Sequence, residues 1–534
     1  MKKLPLGIQN IKEILQDGYV YVDKTQYIYS LLNNANFYFL SRPRRFGKSL
    51  LLDTIGEIFN GDKALFKGLW IFDSDYRFPR HPVLRLDMSN IANDTPITLK
   101  NELSIELKKR AKEEGFNIDY DTPSALFKTL IEALYNKYGQ GVVVLIDEYD
   151  KPILDRLNDY DIAEANRDVL RGFYGVLKSM NPYLRLTFIT GITKFTKTSI
   201  FSGLNNLFDI TFTRKYSNIC GISAEQLEEY FADHMEHLSS LAEFGQYENI
   251  HDEIITWYDG YSWDGKTRVI NPFSLLSFFS QERFECFWYA SGTPKFLVEL
   301  LKKNPRVYTK LSNLKITELM LDTAELSEIS AELLMFQTGY LTVKEILPAK
   351  GITVYLLHMP NFEVRDAFNL HVLTAFTENS QSFVKSAQIE IDDALLKGDL
   401  TKVLAIFKGL FASIPYQLHI GQEAYYHSIF YAVLNLLNFQ IDAEVSVSGG
   451  RVDAILELVD FIYVFEFKYV DCAPDASSET KQKLFTDALN DGMRQIKDKG
   501  YANRYTGGSK TINLVAFAFL GRDEIGMQME STTV

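Results

Sequence analysis

Glu466-Phe467-Lys468 sits in the apolar run Asp460–Tyr469, with Asp453 thirteen residues upstream. An acid on one strand followed by acid-x-Lys on the next suits Mg²⁺. Two carboxylates supply hard oxygen donors, and the ammonium positions or activates an attacking water. That set of groups hydrolyses phosphodiesters. Near the other end, Arg42-Pro43-Arg44-Arg45-Phe46-Gly47-Lys48-Ser49 contains the Gly-Lys-Ser half of a phosphate-binding loop. In such loops, backbone N–H groups at a helix N-terminus cradle phosphates. Arg42 stands where the opening glycine belongs, so Arg44 and Arg45 are expected to contribute charge that its backbone does not. A hundred residues on, the run VVVLI ends in Asp147-Glu148. The first acid, with Ser49, is expected to hold Mg²⁺, and the second to orient water for hydrolysis of ATP. Thr190 closes a later strand and is a candidate sensor of the terminal phosphate. The expected nucleotide set is therefore Arg44, Arg45, Phe46, Gly47, Lys48, Ser49, Asp147 and Thr190, with Glu148 as its catalytic member.

These residues need elements to carry them. NFYFLS (Asn36–Ser41), Pro82–Asp87, Gly141–Ile146 and Leu184–Thr190 read as buried strands separated by helical stretches. Continuous Val/Ile/Leu strands alternating with helices imply an α/β fold with a parallel sheet covered on both faces. The loop 42–49 then lies between a strand and a helix, as phosphate binding requires. From about Ser223 to Leu301 the pattern is helical and reads as a lid subdomain. Residues 302–395 suggest a helical linker or winged-helix-like region with a strand pair near Tyr340–Leu357.

The last unit, 396–534, reads as helix, three strands, helix, strand. Gly421–Phe439 is expected to be the first helix, with Glu423 as a third carboxylate. Ile441–Val447 and Arg451–Leu458 flank Ser448-Gly449-Gly450, a hairpin signal. Phe461–Tyr469, the helix Glu479–Lys499 and the strand Thr511–Leu520 complete the unit. Side chains alternate along a strand, so Glu466 and Lys468 share one face while Phe465 and Phe467 take the other. Antiparallel pairing of the two strands would set Asp453 beside Glu466. Gln495 on the following helix is placed to orient the lysine or touch a phosphate. Burying Asp453 and Glu466 among strong apolar residues costs free energy unless a cation compensates, which argues for a metal there.

Bulk properties narrow the class. The 534 residues are too many for one core, and 46% hydrophobic with 13% aromatic content describes a globular chain. A formal charge of −13 leaves no global basic footprint, so any nucleic-acid surface is a local, salt-sensitive patch. Three dispersed cysteines without CxxC spacing argue against disulfides and zinc and fit a reducing cytoplasm. No signal peptide and no apolar run near 18 residues is found, so no membrane partner is expected.

Beyond these residues, the stretches YVDKT (Tyr21–Thr25), RPRRFGKS, LIDEYD, TGITKFTKTSIFSGLNNL (Thr190–Leu207), YDGYSWDG (Tyr258–Gly265) and NPFSLL (Asn271–Leu276) together resemble the bacterial predicted AAA-ATPase family. Its members often carry a C-terminal nuclease of the PD-(D/E)XK superfamily. The resemblance covers nearly all of the chain except about 302–395. It implies a P-loop ATPase core at 1–220, a lid at 221–301 and a restriction-endonuclease-like domain at 396–534. By that resemblance Glu423 matches the first-helix acid and Asp453 the first metal acid. Glu466 and Lys468 match the acid-x-Lys, and Gln495 matches the helix glutamine. Ser291-Gly292-Thr293-Pro294 resembles the lid element that touches nucleotide in related switch ATPases. The expected cofactors are ATP and Mg²⁺, and the expected partner is nucleic acid, DNA ahead of RNA, with a homo-oligomer left open. Defence against mobile elements is implied by the resemblance only. Two alternatives stand beside the nuclease: a nucleotide switch that binds nucleic acid without cutting, and an ATPase acting on proteins alone.

Overall fold

A computed structural model describes residues 1–194, 200–201, 204, 206–288, 314–321, 330–349, 351–377, 379–412, 433, 441–447, 450–470, 472, 476–498, 510–520 and 524–533. The chain forms two compact units, Met1–Leu297 with Leu311–Val364, and Val298–Lys310 with Arg365–Val534.

In the N-terminal unit five strands form one parallel sheet: β1 (Phe37–Ser41), β2 (Val83–Asp87), β3 (Val142–Asp147), β4 (Leu184–Gly191) and the short β5 (Phe208–Asp209), in the order β2-β3-β4-β1-β5. Every residue of β1 and β3 is buried, as expected of strands covered on both faces. The covering helices start at side-chain caps, with Thr95, Thr122 and Asp159 each accepting a backbone N–H. Register is what builds the site. Leu40 pairs with Thr190, Ile146 with Ile189, and Asp87 with Asp147. The ends of β1, β3 and β4 therefore share the carboxyl edge of the sheet, where α/β folds bind ligands.

The helices Ala224–Ser239, Ile250–Tyr258 and Pro272–Gln281 pack around Leu227, Phe231, Ile254, Tyr258 and Phe278. A capping box of Ser223 and Gln226 starts the first of them. Three further strands, β6 (Leu314–Thr317), β7 (Thr342–Ala349) and β8 (Ile352–His358), form an antiparallel sheet in the order β6-β8-β7. The strand pair read near Tyr340–Leu357 is β7–β8, and β6 adds a third strand. Within this unit the segment is tied down by Thr342 Oγ1, which donates to Ser262 O at 2.8 Å.

The C-terminal unit carries the sheet β13-β12-β11-β10-β9, from β9 (Ile441–Val447), β10 (Gly450–Glu457), β11 (Phe461–Val470), β12 (Thr511–Leu520) and β13 (Glu524–Thr533). Only β11 and β12 run parallel; the other neighbours are antiparallel. The helix Ser478–Asp498 covers one face with Met493 and Ile496 against Val464, Ile512 and Ala516. On the opposite face Tyr463, Phe465 and Phe467 stack in sequence, with Phe517 against the last two. Sequence reading ended the unit at Thr511–Leu520. The structure adds β13, an edge strand whose polar alternation gives little hydrophobic signal. The expected helix Gly421–Phe439 (apart from Val433), the Ser448-Gly449 turn, Ser291–Pro294 and Glu423 lie outside the described residues. Among the described residues no helix is long and apolar enough to cross a membrane, and the three cysteines form no disulfide.

Candidate functional site

Two constellations emerge, one in each unit. In the N-terminal unit the helix Lys48–Asn60 starts at Gly47, whose φ of 86° lies in the left-handed region open to glycine. The turn is reinforced at Arg45, a non-glycine residue with φ 66°. Lys48 is buried, and its Nζ donates to the carbonyls of Arg42 and Pro43, each at 2.9 Å. Burial pushes this ammonium down, and the charges of Asp147 and Glu148 oppose that shift, so the lysine shares its field with the two acids.

Asp147 ends β3 and accepts from Thr190 Oγ1 at 2.7 Å and from the Glu148 N–H at 3.1 Å. Thr190 thus holds the carboxylate on which the expected Mg²⁺ would rest. Glu148 has φ 50°, a strained conformation for glutamate. Desolvation raises its carboxyl, with Lys48 pulling it back down. Strain and a raised acid at a cleft edge are features that functional sites accumulate.

A cleft of about 480 Å³ is lined by Arg44, Arg45, Lys48, Ser49 and Glu148, together with Phe273 and residues 5–9. The Arg45 guanidinium lies 3.8 Å from the Phe273 ring centre. Phe46 faces elsewhere. It is buried edge-on against Tyr261 and Trp263 and forms part of a smaller pocket of about 100 Å³ walled by Val20, Leu51, Ile222 and Phe231. The two cavities share Pro5, Gly47, Leu50, Pro272 and Leu276. The two adjoin along these shared walls, the larger lined by charged side chains and the smaller mostly by apolar ones.

Sequence reading passed over two residues here. Lys24 in YVDKT is buried beside the apolar pocket and spends its three donors on Asn218 O, Asn218 Oδ1 and Gln226 Oε1 at 2.9, 2.8 and 2.7 Å. Burial lowers it to about 7. Asp150 in LIDEYD accepts the Thr193 N–H at 2.6 Å and the Ile192 N–H at 3.1 Å, fixing the chain just past β4. Both lie inside motifs already quoted, and that was the available signal.

In the C-terminal unit β11 brings Glu466 and Lys468 onto the face covered by the helix Ser478–Asp498. Glu466 is 2% exposed. Gln495 Nε2 donates to Glu466 Oε1, and Gln495 Oε1 accepts from Lys468 Nζ at 2.6 Å. The amide therefore bridges acid and lysine, and Lys468 Nζ stands 3.4 Å from Glu466 Oε1. Gly492 makes the crossing possible: a Cβ there would lie 3.0 Å from Ala516 Cβ and 3.6 Å from Lys468 Cγ. One turn before Gln495, Asp491 Oδ2 approaches Lys468 Nζ at 3.7 Å and also pairs with Arg494. Asp491 was not singled out from sequence, because a lone acid on a charged helix carries no signal.

Asp453 is described as a backbone position. It precedes Ala454, which pairs with Phe465, and the antiparallel register carries position 453 to the place opposite Glu466. Carboxylates from neighbouring strands give hard oxygen donors of the kind Mg²⁺ prefers. Among the described residues no group of three or more His, Cys, Asp or Glu is arranged to hold a metal.

Comparison with known proteins matches both halves. A family model described as predicted AAA-ATPase fits residues 5–201, and one described as PD-(D/E)XK nuclease superfamily fits residues 421–528. Over 538 aligned residues the chain is 36% identical to an uncharacterized protein in the vnfD 5′ region of Azotobacter chroococcum mcd 1, with 99% of each chain covered.

Proposed function

Since the chain belongs to the predicted AAA-ATPase family and ends in a domain of the PD-(D/E)XK nuclease superfamily, we propose that it is an ATP-controlled, Mg²⁺-dependent nuclease. The observation that carries the nuclease reading is the bridge in which one amide, Gln495, ties buried Glu466 to Lys468. A structural Glu–Lys pair at a sheet rim needs no such third group. Mg²⁺ held by Glu466 and Asp453 would supply Lewis acidity toward a phosphate oxygen and ease deprotonation of water. Lys468, oriented by Gln495, holds the attacking water or a phosphate oxygen. Glu423 is the proposed third carboxylate.

In the N-terminal unit Lys48 exchanges the carbonyls of Arg42 and Pro43 for the β- and γ-phosphates. Ser49 and Asp147 are the proposed Mg²⁺ ligands, Thr190 steadies Asp147, and Glu148 orients the water. Arg44 and Arg45 meet the phosphates from the cleft rim, while Phe46 anchors the loop beside the base pocket. Nucleotide state then gates cleavage by the C-terminal unit. DNA is the preferred substrate, RNA the second, and defence against mobile elements is a setting consistent with such a cutter.

The test is incubation of the full chain with DNA and with RNA, with Mg²⁺ or Mn²⁺, with and without ATP. Metal-dependent cleavage that is lost in Asp453→Asn and Glu466→Gln is expected. Nucleic acid bound but left intact by the wild type under every condition would replace this reading with a non-cutting switch.

A further inference from the structure

Arg42 occupies the position where a phosphate loop ordinarily opens on glycine, yet it is 0% exposed. Its guanidinium works inside the unit. Nη1 donates to Ser41 O at 2.8 Å and to Thr211 O at 3.0 Å, and Nη2 donates to Tyr216 O at 3.4 Å. The guanidinium carbon also lies 3.8 Å from the centre of the Trp263 ring. Trp263 meets Phe46 edge-on at 5.5 Å, so a single indole braces the loop at residue 42 and again at residue 46. Among the described residues no carboxylate forms an ion pair with Arg42. Carbonyl dipoles and an aromatic face make its direct contacts, and the charges of Asp209 and Asp264 favour it from beyond ion-pair distance. Burial lowers the guanidinium to about 10, which leaves it charged at neutral pH.

The carbonyl of this same residue accepts from Lys48. Wherever the Arg42 backbone is held, the resting position of the phosphate-binding lysine is held too. We propose that Arg42 is a positioning residue for nucleotide binding, a buried cation that, braced by Trp263, fixes the loop in place of the opening glycine. It sets where Lys48 and the following N–H groups meet phosphate. This inference rests on the ATP reading above. It runs against the motif: restoring glycine at position 42 should harm the loop.

The test compares the full-length wild type with Arg42→Gly and Arg42→Lys, titrating Mg·ATP, ADP and adenosine by calorimetry. Arg42→Gly is expected to weaken Mg·ATP by at least about tenfold, since several charge-assisted bonds and a stack are lost together. Arg42→Lys weakens it as well, because a compact ammonium cannot reach the carbonyls of residues 41, 211 and 216 while also lying flat on the indole. Adenosine, which carries no phosphate for the loop to meet, changes much less. Should Arg42→Gly fail to fold, Trp263→Leu replaces it and should weaken Mg·ATP in the same pattern, with Trp263→Phe recovering most of the loss. Wild-type affinity for Mg·ATP in Arg42→Gly, or in Trp263→Leu where that variant stands in, overturns the inference. Equal losses for ATP and adenosine overturn it too, since that marks general disruption. A wild type that binds no adenine nucleotide removes the ATP reading itself, a result distinct from any difference among variants.

Discussion

Glu363 offers a sharp test of the buried electrostatics around the loop. Its carboxyl is 0% exposed and accepts the Trp288 N–H at 2.6 Å, while the Trp288 indole N–H donates to Arg44 O at 3.3 Å. Burial raises it from 4.5 to about 7, with the Trp288 and Phe287 N–H groups and the Ser274 hydroxyl pulling the other way. Because the folded value is raised, the protonated form is the stabilising one. Its contribution is complete below pH 4.5 and fades as pH climbs through 7. At about 1.4 kcal/mol per pH unit, the rise from 4.5 to about 7 gives a ceiling of about 3 kcal/mol. Glu363→Gln keeps the acceptor and the shape but cannot titrate.

Urea titrations followed by tryptophan fluorescence read this directly. All four tryptophans, Trp70, Trp257, Trp263 and Trp288, belong to the N-terminal unit, so the signal reports on that unit. The variant should match the wild type near pH 4.5 and exceed it by up to about 3 kcal/mol at pH 8. A wild-type-minus-variant difference that stays flat from pH 4.5 to 8 would refute the reasoning, as would a variant less stable at pH 8.

Other expectations follow from the two sites. Glu466→Gln should abolish cleavage while nucleic-acid binding, measured by anisotropy, is retained. Gln495→Leu removes the bridge and should slow cleavage about 10- to 100-fold, in line with losses seen when groups supporting a metal site are removed. Glu148→Gln should keep Mg·ATP binding and lose hydrolysis. Desolvation raises Glu148, so the wild-type rate should fall on acidification at a pH above the ordinary carboxylate range as the base form is lost. A rate that falls only within the ordinary range would count against Glu148 as the base. EDTA should stop both reactions, and added Mg²⁺ should restore them.

Much of this was readable because the decisive signals are local. VVVLID is a strand whichever partner it takes, and parity along FIYVFEFKYV separates Glu466 from Phe465 and Phe467 without reference to any other residue. What was not readable depends on distant partners. In the sequence Arg42 marks only the place of the missing glycine, and the acceptors that hold its guanidinium, Thr211 and Tyr216, lie 169 and 174 residues away. The strand β13, EIGMQMESTT, pairs along its length with β12 but is too polar to stand out. The two-residue β5 is too short for any periodicity to reveal it.

The alternation along β11 has a consequence for the history of such proteins. The stacked aromatic residues and the Glu466–Lys468 pair occupy positions of opposite parity on one strand. Substitution at 466 or 468 leaves the stacked rings untouched, so a lineage can give up the proposed chemistry and still inherit a sound domain. Insertion or deletion of a single residue does the reverse, driving charge among the stacked rings and the rings under the helix Ser478–Asp498. Selection can therefore rewrite the polar face one side chain at a time, but it cannot slide the strand.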